Sequence, residues 1–383
     1  MADRELVIVG MSGGVDSSVA AALLLDQGFE VQGLFMSNWQ EDEDGYCTSA
    51  QDFDDTRRVC EMLGIALHRT DFSREYRERV FQHFLAEYAA RRTPNPDVLC
   101  NREIKFGVCF EHARRLGADR FATGHYARLD FEPRLRLRKA VDLAKDQSYF
   151  LHAAPPRALA RSLFPLGELK KAEVRRIARE RGLPVHDKRD STGICFIGER
   201  PFAQFLARYL PAQPGAIESP DGTRLGSHRG LMFYTLGQRR GLGIGGQRRG
   251  TEAPWYVIDK DLDRNVLIVS QGHDHPGLYS GELVTDEFVW LADPPDGMFA
   301  CHAKTRYRQP DQRCTVHPLG GDRIRIEFDE PQRAVTPGQY VVLYGGDECL
   351  GGGVISRTEI SPPSGPRREA PGAAAYPARA EPV

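Results

Sequence analysis

The chain lacks every cysteine spacing that would mark a metal ribbon. Its eight cysteines, at 47, 60, 100, 109, 195, 301, 314 and 349, include no C-x-x-C pair, so zinc ribbons and the common iron–sulfur frameworks have little support. A structural disulfide network has no place in a reducing cytosol either, and the set reads as free thiols of which one or two are reactive. Long apolar runs are also missing. The longest, Val19 to Leu25, is far too short to cross a bilayer, and the charged start Met1-Ala2-Asp3-Arg4-Glu5 does not fit a signal peptide. Nor is there a surplus of one charge: 51 Lys and Arg against 53 Asp and Glu leave a formal net charge of −2. Any nucleic-acid contact must therefore rest on local basic patches. No internal repeat is visible. A cytoplasmic enzyme with no membrane partner is the default expectation, a monomer is expected, and 383 residues suffice for two or three domains.

What is present begins at the N-terminus. Gly10-Met11-Ser12-Gly13-Gly14-Val15-Asp16-Ser17-Ser18 stands between the apolar run Leu6-Val7-Ile8-Val9 and the helical segment Val19 to Leu25. The first run is short, β-branched and bounded by glycine, as a buried parallel strand should be. Asp16, Ser17 and Ser18 sit where helix-capping side chains are favoured. A Ser/Gly-rich turn of this kind aims successive backbone N–H groups and a positive helix end at one point, which suits phosphate. It is neither a Walker loop, lacking Gly-Lys-Ser/Thr, nor G-x-G-x-x-G.

Strands and helices alternate through the first half. Val31 to Met36 and Ile65 to His68 read as strands, with an acidic loop at Glu41 to Asp44 and a helix over 52–63 between them. A long helix over Tyr76 to Arg92, another near 102–116, the strand Arg120 to Thr123 and a helix over Glu168 to Arg181 follow. The alternation predicts an α/β fold, a Rossmann-like parallel sheet with ligands at the carboxyl ends of its strands. Past about residue 210, Gly, Pro and short β-branched runs take over, as at Trp255 to Ile258, Val266 to Val269, Arg323 to Phe328 and Tyr340 to Leu343. The expected domains are 1–208, a small central β domain at 209–280 and a β-barrel-like domain at 281–360. The Pro/Ala-rich stretch 361–383 is expected to be a disordered tail.

Two cysteines lie in suggestive settings. Pro94 and Pro96 stiffen the segment before Cys100 and block helix there, which puts Cys100 at or just before a helix start, near Arg102 and Lys105. That setting favours thiolate. Cys109 falls on the opposite face of a regular helix and reads as packing. Cys195, within Asp190-Ser191-Thr192-Gly193-Ile194-Cys195-Phe196, fits either a mobile reactive loop or an ordinary core position. Asp97 is placed to act as acid or base, or to cap the following helix. Lys145-Asp146-Gln147 suits nucleotide recognition or a plain solvated loop. Lys304, Arg306 and Arg308 share one face of a presumed strand, matching a phosphate track, and Tyr307 would reach RNA only if that strand bends or ends. Arg239, Arg240, Arg248 and Arg249 flank Gly241 to Gly246 and either extend this surface or are solvated turns.

The S-G-G-x-D-S loop resembles that of the PP-loop, or N-type ATP pyrophosphatase, superfamily. Together with the N-P-D-x-x-C-N segment, A-T-G-H-Y at 122–126, K-D-Q-S-Y-F at 145–150 and S-T-G-I-C-F at 191–196, in that fixed order, it makes residues 5–360 similar to the bacterial tRNA-specific 2-thiouridylases. That resemblance implies ATP as cosubstrate, with Mg2+ carried on its phosphates and no protein metal ligand. It implies tRNA and a persulfide donor, either a sulfur-relay protein or a cysteine desulfurase, as partners. Gly10, Met11, Ser12, Gly13, Gly14, Val15, Asp16 and Ser17 would hold pyrophosphate, and Met36 and Gly124 would lie beside adenine and ribose. Asn95, Pro96 and Asp97 would meet the target base, and Lys145, Asp146, Gln147, Arg306 and Tyr307 the tRNA. Cys195 would carry a persulfide that Cys100 attacks, leaving a Cys100–Cys195 disulfide. Two rivals remain on the residues alone: a PP-loop enzyme adenylating a small molecule, and an RNA-binding module with a vestigial loop. The first would leave the paired cysteines without work, and the intact loop argues against the second.

Overall fold

Apolar strands too short to bury themselves alone organise the first part of the molecule, a computed structural model describing residues 4–39, 49–190, 202–244, 253–291, 293, 295–360 and 374–376. The chain divides into two compact units. One comprises Met1–His83, Pro96–Pro201 and Asp347–Leu350, the other Phe84–Asn95, Phe202–Gly346 and Gly351–Val383.

In the first unit β1 (Leu6–Met11), β2 (Glu30–Ser37), β3 (Leu67–Asp71) and β4 (Arg120–Thr123) are followed by the hairpin β5 (Ala127–Asp130) and β6 (Arg136–Lys139), then by β7 (Ser162–Leu163). The order β3-β2-β1-β4-β7 forms one sheet in which every pairing is parallel. Chain direction away from β1 reverses between β2 and β4, so the switch point lies at the carboxyl end of β1. Helices α1 (Val15–Asp26), α2 (Ser49–Leu63) and α3 (Lys171–Glu180) belong to the same unit. The α1 helix is buried nearly all round, and its Ala20-Ala21-Ala22 run lets β-strand and helix backbones approach closely. Val7, Val9, Met11, Val19, Leu24, Val59, Val174 and Leu183 form the shared core.

The second unit is β-rich, as the change of texture past residue 210 predicts. Strands β8 (Gly215–Glu218), β9 (Arg224–His228), β10 (Trp255–Asp261) and β11 (Val266–Gln271) make a sheet in the order β10-β11-β8-β9, packed on Ile217, Leu231, Val257, Leu267 and Val269. Strands β12 (Tyr279–Trp290), β13 (Phe299–Lys304), β14 (Gln312–Gly320), β15 (Arg323–Arg333), β16 (Tyr340–Gly345) and β17 (Glu348–Ile360) pair in the order β12-β15-β14-β13-β16-β17. A further pairing of β12 with β17 closes the ring, which removes exposed sheet edges. Of the tail expected to be disordered, Ala374–Ala375 forms a short strand, β18, parallel to Phe299 and Ala300 of β13. Among the described residues no helix is long and apolar enough to cross a membrane.

Three local expectations need correction. Helix α1 begins at Val15, four residues before the apolar run, because Gly14 takes the N-cap position in extended backbone. Ser17 and Ser18 are therefore inside the first turn, and their hydroxyls donate back to the Gly14 carbonyl at 3.2 and 2.8 Å. The prolines do not keep helix away from Cys100: Pro96 is the first residue of the helix Pro96–Leu99, where its missing N–H costs nothing. The strand expected through Arg308 stops at Lys304, and residues 305–308 bend and turn.

Candidate functional site

The glycine-rich segment leaves β1 at Met11 and enters α1 at Val15, so Ser12, Gly13 and Gly14 form the turn at the switch point. Gly13 has φ +73°, and a Cβ there would lie 2.5 Å from the Asp52 carbonyl oxygen. No other residue fits that turn. The Ser12 N–H donates to the Ser17 hydroxyl at 3.2 Å, which curls the turn over the helix start. Gly124, just past the end of β4, approaches the same helix start: a Cβ on it would sit 2.7 Å from the Ser17 nitrogen. The sheet thus brings Gly10 to Ser17 and Gly124 together from distant sequence. Met36 is half-buried near the carboxyl end of β2, whose register sets Phe35 beside Met11.

Around this turn lies a charged network that joins Asp16 and Lys145 to residues the motif reading missed, Lys171, Arg175, Lys188, Asp52 and Asp55. Asp16, in the first turn of α1, accepts from Lys171 Nζ at 2.7 and 2.8 Å and from the Tyr126 hydroxyl at 2.8 Å. The same ammonium reaches Asp190 Oδ1 at 2.9 Å. Lys145 Nζ donates to Asp190 Oδ2 at 2.7 Å and Arg175 to Asp190 Oδ1 at 2.8 Å. Burial works against the Asp190 charge, but hydrogen bonds from Lys145 and Lys171 overcome it and hold the carboxyl down at about 2. On the other side of the turn, Lys188 Nζ donates to the Gly13 carbonyl at 3.0 Å, to Asp52 at 2.8 Å and to Asp55 at 2.6 Å. It ties the turn to α2.

The Lys145-Asp146-Gln147 triplet is bound into the fold through all three side chains. Lys145 pairs with Asp190. Asp146 is buried and accepts from the Ala140 and Ser148 amides at 3.1 and 3.2 Å and from the Ser148 hydroxyl at 2.9 Å. Gln147 accepts from the Tyr126 amide at 3.0 Å, which fixes the ring that reaches Asp16.

Cys100 lies one turn inside a helical stretch that continues as Cys100–Cys109 and Phe110–Arg115. It is 8% exposed. Phe106, from this stretch, packs on Phe121 of β4 and on His125, so the helix that carries Cys100 covers the strand that leads into Gly124. Its turns are widened to i→i+5 bonding and broken at non-helical Gly107. The regular-helix spacing that put Cys109 on the opposite face therefore fails, and the Cys100 thiol lies near enough to disfavour ionisation of Cys109. Cys109 is fully buried, and burial pushes its thiol up to about 12 despite the pull of Lys105. Packing remains its role. Asp97 is accessible to solvent but crowded by protein, so desolvation raises its carboxyl above the ordinary range while Lys105 draws it back. His125, buried and bonded to the Thr123 hydroxyl at 2.7 Å, is held neutral by that burial. Pro96 is buried beneath the same helix start, and Asn95 groups with the second unit.

Cys195, with residues 191–201, lies outside the described residues, as do Arg248, Arg249 and the acidic loop at 41–44. In the second unit, Lys304 is buried, its ammonium 5.3 Å from the Tyr344 ring and 3.7 Å from Asp311. It leaves the presumed phosphate track. Arg306 is exposed in the turn and donates to the Ala334 and Leu236 carbonyls at 2.8 and 3.3 Å, with half-buried Tyr307 beside it in sequence. Arg239 and Arg240 are exposed.

Three protein-family descriptions match in succession: a tRNA methyl transferase HUP domain over residues 5–199, a tRNA methyl transferase PRC-barrel domain over 203–271, and an aminomethyltransferase beta-barrel domain over 280–355. The tRNA-specific 2-thiouridylase MnmA of Marinobacter nauticus is 59% identical over 358 residues, which cover 92% of this chain and 91% of that protein. The protein of that name from Chromohalobacter salexigens is 59% identical over 355 residues, 92% of each chain. Its Escherichia coli counterpart is 57% identical over 355 residues, covering 92% and 96%.

Proposed function

The chain belongs to the tRNA-specific 2-thiouridylase MnmA family, and on that footing we propose that it converts a tRNA wobble uridine to 2-thiouridine at the expense of ATP. The observation that carries the reading is the place of Ser12 to Ser17. They turn at the carboxyl end of β1 beside Gly124 at the end of β4, the crevice where open parallel sheets take nucleotides. Backbone N–H groups of that turn and the start of α1 would hold the pyrophosphate, and Mg2+ would travel on phosphate oxygens. Gly124 and Met36 would flank the ribose and adenine.

In the first step the uridine 2-oxygen attacks the α-phosphorus. An O–P bond forms, the bond to the bridging oxygen breaks, and pyrophosphate departs with the electron pair. Carbon 2 of the base then carries AMP as a leaving group. In the second step the Cys100 thiolate attacks the inner sulfur of a Cys195 persulfide, releasing hydrosulfide and forming a Cys100–Cys195 disulfide. Hydrosulfide adds at carbon 2 and expels AMP, and an external thiol reductant then reduces the disulfide, restoring both thiols while it is itself oxidised. Asp97, its carboxyl raised by desolvation, suits proton transfer at the base, a role typically worth about 10²- to 10⁴-fold. Asn95 and Pro96 would frame the base, and Lys145, Asp146, Gln147, Arg306 and Tyr307 would line the tRNA's path. The sulfur would come from a relay protein or cysteine desulfurase. Two of the matching family descriptions carry the words methyl transferase, but methyl transfer has no use for a pyrophosphate turn or for paired thiols.

ATP–pyrophosphate exchange tests the first step. Exchange should require tRNA and disappear in Asp16→Ala. Exchange supported by a small-molecule acceptor without tRNA would favour a different adenylating enzyme instead.

A further inference from the structure

The nucleotide turn contains no cation. Residues 10–18 contribute only one charged side chain, Asp16, and it is acidic and sits in the first turn of α1. A triphosphate arriving at that helix end would meet a carboxylate, which opposes the helix's own attraction for anions. The opposing charge is met by Lys171, the first residue of α3. Its ammonium uses its three donors on Asp16 Oδ1, Asp16 Oδ2 and Asp190 Oδ1, at 2.7, 2.8 and 2.9 Å, and its side chain is only 11% exposed.

The partners of Asp190 make one of those bonds exchangeable. Asp190 also holds Lys145 at 2.7 Å and Arg175 at 2.8 Å, so it stays paired when Lys171 turns away. Lys188 is engaged differently, joining the Gly13 carbonyl to Asp52 and Asp55. Around the turn four carboxylates, Asp16, Asp52, Asp55 and Asp190, face four cations, Lys145, Lys171, Arg175 and Lys188, and Lys171 is the cation shared between the helix-start carboxylate and Asp190. With only 11% of its side chain exposed, the Lys171 ammonium acts on an anion more strongly than a surface lysine would.

We propose that Lys171 is the phosphate-binding cation of this site: on ATP binding its ammonium exchanges Asp190 for a β- or γ-phosphate oxygen while Asp190 remains held by Lys145 and Arg175. This rests on the reading that the turn binds ATP, and adds to it the residue that neutralises the departing pyrophosphate.

The test compares binding of ATP and of AMP, each with Mg2+, by titration calorimetry on the full chain. The wild type should prefer ATP. Lys171→Gln should weaken ATP binding at least tenfold and AMP binding less than threefold, and Lys171→Arg should keep ATP within about threefold of wild type. Arg176→Gln, an exposed position on the same helix, serves as control. Asp190→Asn frees Lys171 from one carboxylate and should tighten ATP binding several-fold, a sign that a purely structural lysine would not give. A folded Lys171→Gln protein that binds ATP within threefold of wild type overturns the proposal. Should Lys171→Gln not fold, unchanged or weaker ATP binding by Asp190→Asn overturns it. Failure of the wild type to bind ATP would instead defeat the nucleotide reading itself.

Discussion

At the scale of single residues, the turn was legible because its signal is contiguous. Gly13 and Gly14 beside Ser12, Asp16 and Ser17 announce a phosphate-sized nest, and the φ of +73° at Gly13 is the conformation such a turn demands. The residues that complete it were not legible. Lys171 is 155 positions from Asp16 and Lys188 is 175 from Gly13, so no local pattern links them. Lys145 shows the reverse case: its motif is contiguous, yet its partner Asp190 is chosen by the fold. The Asp190 network carries a pH signature. Its carboxyl is held at about 2 against an ordinary value of 3.8, so its stabilisation is fully present above about pH 4 and is lost as pH falls from there towards 2. Melting temperature followed from pH 5 to 2 should fall across that window, and the fall should be shallower in Asp190→Asn. Parallel curves for the two proteins would contradict the assignment.

At the scale of elements, alternation of apolar runs located the strands of the sheet, and Arg120–Thr123 was read to the residue. Helices were less exact. The Cys100 helix begins at Pro96 because proline suits a first helical position, a meaning that the two prolines alone do not separate from a loop. Its widened turns and the kink at Gly107 then changed which residues face one another. Strand β13 stopped at Lys304, which turned a presumed basic face into one buried lysine and an exposed turn bearing Arg306. The burial of Cys109 yields a prediction at this scale. Cys109→Ser should cost about 1–3 kcal/mol in denaturant unfolding, as a hydroxyl placed in an apolar site does, while leaving thiolation per folded molecule largely intact. A stable variant with lost activity would mean that Cys109 shares the chemistry.

At the scale of the whole molecule, composition and texture gave a parallel α/β part followed by β-rich parts, and that is the architecture observed. A barrel-like domain was expected at 281–360, but which strands close it, β12 onto β17, was not readable, because pairing between strands far apart in sequence is decided by packing and register. The compact units also cut across the linear order, with Phe84–Asn95 grouped with the second unit and Asp347–Leu350 with the first. The proposed function joins an adenylating turn to two thiols, and its most direct test is mass analysis of nucleosides from tRNA incubated with the protein, ATP and a persulfide donor. 2-Thiouridine should appear only with all components present, and Cys100→Ser and Cys195→Ser should each abolish it. Thiolation that persists without ATP, or in full in the Cys195 variant, would contradict the account.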